Sequence, residues 1–322
     1  MEENGLRFKH MIFDISFVSS SGSPAGITRL AQRSEECGFN AVWMAHDLLW
    51  DNSWVVCGAI AASTSRIKIG PGIVNPYSCS LPEIAMAAAS LDNLSGGRCL
   101  LGIGPGAKEM LAAAGIRPTS VISRLEYSVA YLRRALATPS SILRINLARN
   151  VPLYVGCQSP KLLECIGKWG IGGLPLLTPP TYASSAFAQI ERGAESTGIL
   201  INRQNQIASI LVSLSRDEQE ALKTFAEFII PMLKHLSYHQ LAEIGIDKDD
   251  VDEVVRTYSE DGWEAVPSKF YQLGAVGIEG CIKAVNEVSK AGFIHVKIGS
   301  PLGPQKEEAI NICAREVIPH FV

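Results

Sequence analysis

Short apolar runs alternate with longer stretches of helical periodicity along most of the chain. Four of these runs, IKIG, LLGIG, LYVG and HVKIG, are almost entirely apolar, which is typical of strands covered by helices on both faces. The pattern predicts eight strands, at residues 13–18, 40–44, 66–69, 98–103, 151–156, 170–175, 206–214 and 294–298.

Helical periodicity follows each predicted strand, and the alternation of about eight strands with helices predicts a parallel sheet with helical crossovers. A (βα)8 TIM barrel forming one domain over residues 1–322 is the favoured fold, and an open doubly wound sheet is the alternative. A helical insertion is predicted after the seventh strand, at about residues 225–275. In a barrel, the active groups lie at the C-terminal ends of the strands.

The helices are predicted at residues 25–37, 54–63, 81–94, 120–137, 161–169, 182–197, 280–291 and 305–318. A further helix, capped by Ser215, is predicted to run to about residue 235.

Composition excludes several classes of protein. The 322 residues are 47% hydrophobic, yet no apolar run reaches the length of about 18 residues that a membrane span needs. The net charge of −3 provides no basic field for nucleic acid. The N-terminus, MEENGLRFKHMIFDI, is too polar for a signal peptide. No two of the eight cysteines are spaced as CxxC. We therefore expect a cytoplasmic protein with reduced thiols.

Two predicted strands end in the same three residues, Gly70-Pro71-Gly72 and Gly104-Pro105-Gly106. Glycine permits sharp bends and close backbone approach, so two such loops predict the floor of a flat, cofactor-sized site. A β-branched Ile73 follows the first loop. This order is compatible with a bulge or a cis peptide, as functional sites often contain, and equally with a plain tight turn.

Two other segments carry candidate chemistry. Gln158 and Ser159 precede a predicted helix whose free amides could bind an anion, although an ordinary Ser-Pro helix cap explains the same residues. His46 and Asp47 follow the second strand as a candidate acid/base pair. Adjacent residues on a strand point to opposite sides, so only one of them need face the site, and a backbone-satisfied rim histidine is the alternative. His235 and His239 lack a third ligand, so no metal site is predicted.

Several blocks together resemble a known family. IKIGPGIVNPY, LPEIAMAAASLDNLSGGRCLLGIGPGAKEMLAAAGI, VPLYVGCQSP and HVKIGSPLGPQKEEAI are similar to the bacterial-luciferase-like superfamily of flavin and deazaflavin enzymes. The greatest similarity is to coenzyme F420-dependent 5,10-methylenetetrahydromethanopterin reductases. This resemblance implies a TIM barrel with an insertion after strand seven and a deazaflavin lying across its C-terminal mouth.

The resemblance also implies where the cofactor would be held. Gly72 and Ile73 would carry the family's bulge or cis peptide, in a segment that includes Asn75. Gly104-Pro105-Gly106 would form a shelf beneath the ring. The cofactor phosphate would lie near Gln158 and Ser159, and Thr178 would lie near the cofactor tail.

Three departures from the family pattern concern acid/base groups. Ser16 stands where the reductases carry an acid in I-E-F, and Ala107 stands where they read G-P-G-D-K. The order Ala45-His46-Asp47 replaces T-D-H. The acid/base role therefore falls to His46 first, then to Asp47, which would orient the imidazole or act in its place, or to Glu109.

The resulting hypothesis is an F420-dependent oxidoreductase that moves a hydride between the deazaflavin C5 and a C=N or C=O carbon. A methylenetetrahydromethanopterin-like pterin is the leading substrate, and a sugar, alcohol or ketone is the alternative. An FMN-dependent monooxygenase and a cofactor-binding paralogue without turnover are the rival functions. The expected partners are a small-molecule substrate and a second copy of the chain, in a homodimer or a larger homo-oligomer.

Overall fold

All strand pairs in the computed structural model are parallel, over the described residues 10–156, 158–236 and 238–322. The polar N-terminal stretch 1–9, and Cys157 of the predicted anion site, lie outside the described residues. The described strands are β1 Ile12–Phe17, β2 Ala41–Met44, β3 Lys68–Pro71, β4 Leu101–Ile103, β5 Leu153–Val155, β6 Gly172–Gly173, β7 Ile207–Ser213, β8 Ala275–Val276 and β9 His295–Leu302.

The strands form two sheets that are bridged to each other. One sheet has the order β3-β2-β1-β9-β7-β8 and the other β4-β5-β6. Isolated parallel bridges join Ile69 to Cys99 and Gly173 to Gln206, between β3 and β4 and between β6 and β7. The pairings thus run from β1 through β7 to β9 and back to β1. This circular order is that of the predicted (βα)8 barrel and not of the open doubly wound sheet.

Helices surround the strands. They are α1 Pro24–Glu36, α2 Ser53–Ser63, α3 Leu81–Ser95, α4 Lys108–Ala113, α5 Val121–Ala135, α6 Pro160–Trp169, α7 Ala183–Glu195, α8 Glu218–Met232, α9 Tyr238–Ala242, α10 Lys248–Asp261, α11 Gly277–Lys290 and α12 Lys306–Ile312. Their ends follow local chemistry. Ser80 caps the first turn of α3 by accepting from the Glu83 amide, and Gly96 ends that helix at a φ of 68°.

Some predicted boundaries were wrong. β3 includes Gly70 and Pro71, so the first Gly-Pro-Gly is not a free loop. A Cβ on Gly70 would lie 1.9 Å from the Leu100 oxygen, so this glycine serves close strand packing rather than a turn. Asp217, not Ser215, caps α8 by accepting from two backbone amides. The short β8 and α4 were not predicted, because two and six residues are too few to show a period.

Three apolar clusters lie within the described part of the chain. The largest lies between the strands and the outer helices. A small cluster inside the ring of strands contains Trp43, Leu100, Tyr154, Leu174 and Ile207. The third packs α8 and α10 against residues 266–273 and gives the predicted helical insertion a core of its own.

Candidate active site

The loops after β2, β3, β4 and β5 lie side by side at one end of the strands. The Gly72 amide donates to the Met44 oxygen at 2.8 Å, which joins the loop of His46 to the loop of Ile73. Val74 bridges to Ile103, and the Gly156 amide donates to the Ile103 oxygen at 2.7 Å. Four chain segments that the sequence marked as candidates therefore meet at the C-terminal rim, where catalytic groups of such barrels lie.

Ile73 sits on bare backbone at this rim. The peptide bond between Gly72 and Ile73 is cis, which is one of the conformations that the sequence left open. Cβ atoms placed on Gly102, Gly104 and Gly156 would lie 3.1, 2.9 and 2.7 Å from carbons of the Ile73 side chain. Real Cβ atoms essentially never come as close as 2.9 or 2.7 Å, and 3.1 Å is tighter than nearly all real Cβ contacts, so each added Cβ would press on Ile73. The three glycines thus leave the space that Ile73 occupies, and we call this surface the glycine bed.

Asn75 ties the two Gly-Pro-Gly segments together. Its side chain is buried, and its Oδ1 accepts from the amides of Tyr77 and Ser78 at 3.1 and 2.8 Å. A Cβ on Gly106, which has a φ of 76°, would lie 3.3 Å from the Asn75 side chain. Pro105, which lies between Gly104 and Gly106 in the chain, is half-buried. The predicted cofactor residues of both segments are therefore close in space.

His46 is held by a residue that the sequence interpretation missed. Its Nδ1 lies 2.8 Å from Oγ of Ser53, the fully buried first residue of α2. Burial lowers the pKa of the His46 imidazole below its ordinary value, and the Asp47 carboxylate opposes part of that effect. The neutral ring is therefore favoured at neutral pH. Ser53 and β2 fix its orientation.

Asp47 and His46 have different hydrogen-bond partners, and the predicted role of Asp47 in orienting the imidazole stays a prediction. Between described residues, the hydrogen bond made by its carboxylate is to the Ser19 amide, at 3.1 Å. It thereby anchors the turn Ser19–Ser21 after β1 and acts on His46 through charge alone. His46 and Asp47 both lie in the loop that follows β2, where each side chain has a different hydrogen-bond partner.

The other carboxylate candidate lies farther along the rim. Glu109 is solvent-exposed in the first turn of α4. Ala107 precedes that helix without a side-chain cap, and Ser16 is half-buried at the end of β1, paired with Trp43. The two positions that lack the family's acids therefore both lie at the predicted mouth.

Two of the three predicted tail contacts lie around one small cavity. Gln158 and Thr178 line a void of about 10 Å³ together with Tyr182 and Gln240, which is room for about one water molecule. The Thr178 hydroxyl accepts from the Ser209 amide at 3.2 Å, so it also stabilises the junction of the β6 loop with β7.

The third predicted tail contact caps a helix. Ser159 accepts from the Leu162 amide at 3.4 Å, which is the ordinary helix cap that was the alternative interpretation. The predicted anion site at the start of α6 stays a prediction.

A buried polar cluster inside the strand ring was not predicted. Asp14 accepts from Asn40 and from Trp43 Nε1, each at 2.7 Å, and its Oδ2 lies 2.9 Å from Nε2 of His295. Burial alone would raise the pKa of Asp14, but His295 and the two hydrogen bonds outweigh it and lower that pKa. Lys297 is paired with Asp14 in register and is also buried. The signal was present in the sequence, as single charges within the apolar runs IFDISF and HVKIG.

The described residues contain no group of three or more His, Cys, Asp or Glu side chains arranged to hold a metal. Within the same part of the chain, no helix combines the length and apolarity that crossing a bilayer requires.

Known proteins resemble this chain over nearly its whole length. The 5,10-methylenetetrahydromethanopterin reductase of Archaeoglobus fulgidus is 28% identical over 308 residues, which cover 89% of this chain and 92% of the relative. The F420-dependent tetrahydromethanopterin reductase structure from Methanopyrus kandleri superposes with a TM-score of 0.84 at 24% identity, covering 98% of this chain and all of that one. An F420-dependent secondary alcohol dehydrogenase, in complex with an F420-acetone adduct, has a TM-score of 0.80 at 18% identity, covering 97% and 99%.

These likenesses agree in fold with the ring of strands described above. Residues 11–276 match the luciferase-like monooxygenase family. This range includes β1 to β8 and every predicted site residue. The chain therefore belongs to the luciferase-like monooxygenase family.

Proposed function

We propose that this protein is a coenzyme F420-dependent oxidoreductase acting on a C=N or C=O carbon of a small molecule. The glycine bed under Ile73 is the observation that carries the proposal, because the three glycines seat the half-buried Ile73 side chain directly on backbone and so form a low, apolar floor at the C-terminal rim. The relatives named as F420-dependent reductases and dehydrogenases support F420 over FMN. When bound, the deazaflavin supplies a hydride carrier at C5.

The residues at the rim fit a flat, largely uncharged ring. The apolar, branched side chain of Ile73 packs against three glycines. A Cβ on any of them would enter the space that Ile73 occupies. Asn75 and Gly106 close one edge, and Pro105 stiffens the backbone between Gly104 and Gly106. Gln158, Ser159 and Thr178 lie at the loops after β5 and β6 and would contact the tail. We assign these residues to binding and orientation, not to proton transfer.

His46 is the residue that we assign to proton transfer. Ser53 engages Nδ1, and no hydrogen bond to another described residue involves Nε2, so Nε2 is the atom left to exchange a proton with substrate. A lowered pKa makes the ring a proton acceptor in substrate oxidation, and its protonated form returns that proton in reduction. Glu109 and Asp47 are the alternatives for this role.

A methylenetetrahydromethanopterin-like pterin is the first substrate that we propose to test, because reductases named for it are among the relatives. Ser16 and Ala107 replace two acids of those enzymes, so ketones, secondary alcohols and sugars form the second group. The relatives also include F420-dependent glucose-6-phosphate and secondary alcohol dehydrogenases.

The cofactor proposal is tested by titrating the purified protein with F420 and, separately, with FMN, following quenching of cofactor fluorescence. We expect saturable F420 binding that is at least tenfold tighter than FMN binding. Tight FMN binding without F420 binding would overturn the proposal. Bound F420 that no pterin, alcohol, ketone or sugar oxidises or reduces would indicate a binding protein without turnover.

The role of His46 is tested in the same assay with an active substrate. We expect His46→Ala to reduce kcat by about 10²- to 10⁴-fold, the usual contribution of a general acid/base, while F420 affinity changes little. His320→Ala is the matched control, since His320 is exposed near the C-terminus. Unchanged turnover by His46→Ala would remove His46 from the mechanism.

We also propose that a second copy of the chain covers the outer face of α2 and α3. Large apolar side chains are exposed there, with Val55 at 70%, Met86 at 52% and Leu94 at 59%. Leu49 and Trp50 extend the face along the loop after β2. Clusters of this kind on a soluble domain mark association sites.

Light scattering after size-exclusion chromatography tests this interface. We expect Leu94→Lys to shift an oligomer to monomer, while Leu200→Lys, at a side chain that is 96% exposed elsewhere, leaves the mass unchanged. A wild-type monomer would refute the proposed homodimer.

A cytoplasmic location is part of the proposal too, because the seven described cysteines are free thiols.

A further inference from the structure

A second opening lies at the rim beside the turn Ser19–Ser21. Its volume is about 360 Å³, within the range of small-molecule sites. It lies between the end of β1, one face of α8, and the end of β9 with the segment that follows it, and none of the glycine bed lines it. We call it the rim cleft. It is lined by Val18, Ser20, Ser21, Glu220, Lys223, Thr224, Glu227, Phe228, Ser300, Pro301, Gly303, Pro304 and Lys306.

One wall of the rim cleft is rigid and carries hydroxyl groups. Ser21 and Ser300 are both buried, and their Oγ atoms are 3.4 Å apart. The Val18 amide donates to the Ser21 hydroxyl at 3.1 Å. Gly303 packs so tightly that a Cβ there would lie 2.1 Å from the Leu214 oxygen. This wall is therefore preformed.

The charged residues that line the rim cleft differ in their exposure to solvent. Lys223 and Lys306 are half-buried, whereas Glu220 and Glu227 are exposed. The two lysine residues are therefore less exposed to solvent than the two glutamates. Such an arrangement suits a small, compact anion, because the outer carboxylates would repel an extended polyanion.

Lys223 lacks a partner that helical spacing would allow. Glu220 and Glu227 stand three residues before and four residues after it on α8, yet it makes no ion pair with either, or with any other described residue. Elsewhere the same spacings do produce contacts, as in Lys168–Glu164 at 2.6 Å and Lys290–Glu287 at 3.0 Å. Lys223 instead lines the rim cleft.

The rim cleft is coupled to the proposed catalytic residues through the turn Ser19–Ser21. The Ser19 amide donates to Asp47, whose neighbour is His46. A group held between the turn and α8 would therefore be fixed relative to the proton-transfer site. Fixing a remote group of a substrate in this way orients its reacting atoms.

We propose that the rim cleft binds an anionic oxyacid group, a phosphate or a carboxylate, carried by the substrate away from its reacting carbon. The ammonium groups of Lys223 and Lys306 would neutralise it, and the serine hydroxyls would donate hydrogen bonds to its oxygens. Only the identification of the anion as part of the substrate rests on the proposed function. Anion binding itself depends on the residues of the cleft alone.

Titration of the purified protein with inorganic phosphate and with succinate, at constant ionic strength, tests this site. Amide chemical shifts of residues 18–21 and of Ser300, Leu302 and Gly303 report binding, and the tighter of the two anions identifies the class. We expect Lys223→Gln and Lys306→Gln each to weaken binding by about tenfold, a typical loss when one charge-assisted bond is removed. Lys290→Gln, which removes an exposed and paired lysine, is the matched control and should bind as wild type.

A change of the opposite sign separates the proposal from general damage to the fold. Glu227→Gln removes a carboxylate from the outer edge and should strengthen anion binding about two- to threefold. Absence of binding by both anions up to about 50 mM would overturn the proposal. Equal binding by wild type and both lysine variants would overturn it as well. Because the titration needs neither F420 nor substrate, its failure is distinct from failure of F420 binding.

Discussion

The buried Lys297 should make this protein less stable than an uncharged variant at neutral pH. Burial lowers the pKa of its ammonium from an ordinary 10.5 to about 8, against the attraction of Asp14. A difference of that size corresponds to about 3 kcal/mol at about 1.4 kcal/mol per pH unit. We therefore expect Lys297→Met, which preserves length and apolar volume, to raise the free energy of unfolding by about 3 kcal/mol at pH 7.

The sign of the pH dependence follows from proton binding. Between pH 8 and 10.5 the unfolded chain keeps the Lys297 proton while the folded chain loses it, so wild-type stability rises with pH across that window. Below pH 8 both states are protonated and the whole destabilisation is present. Above pH 10.5 neither state is protonated. The gap between variant and wild type should therefore shrink as pH rises and vanish near pH 10.5.

Urea unfolding at pH 7, 8, 9 and 10, checked for reversibility, measures this gap. Lys68→Met is the matched control, because Lys68 bonds to Asn40 in the same network at 2.9 Å but is exposed. Its removal should change stability by less than about 1 kcal/mol. A Lys297→Met protein that is less stable than wild type at pH 7, or a gap that stays constant to pH 10, would refute the reasoning.

Two further predictions concern the rim. Gly156→Ala would put a Cβ 2.7 Å from Ile73 Cγ2, so we expect F420 affinity to fall at least tenfold. The same change should lower the free energy of unfolding by about 1–3 kcal/mol. Gly280→Ala, with nothing within 4 Å, should leave affinity unchanged, and equal affinities in the two variants would dissociate the glycine bed from binding. Asp47→Asn removes the charge that raises the pKa of His46, so the His46 titration followed by NMR should move to lower pH; an unmoved or raised titration would contradict that coupling.

The barrel was predictable because its strands are buried on both faces. Runs such as LYVG carry little but apolar residues, and such runs followed by amphipathic helices leave few architectures. The residues around Gly70 show the limit of this reasoning. Gly-Pro-Gly is ordinarily a turn signal, but here Gly70 lies within β3, because the β4 backbone at Leu100 leaves no room for a side chain.

The candidate site was predictable in position and less so in its contacts. The sequence marked His46 and Asp47 together, but the structure gives them different partners, Ser53 and the Ser19 amide. Ser53 is seven residues away from His46 and Ser19 is 28 from Asp47, so no local motif relates them. Resemblance to a family supplied the cofactor expectation, which residue patterns alone left open.

Local sequence by itself determined where most helices and strands form, because caps, glycine stops and apolar periods act within a few residues. Tertiary structure alone decided which glycines surround Ile73, that Asp14, His295 and Lys297 share the interior of the strand ring, and that Lys223 lines the rim cleft instead of pairing on its helix. Those outcomes depend on strand register and on the packing of segments up to hundreds of residues apart, which a local pattern does not encode.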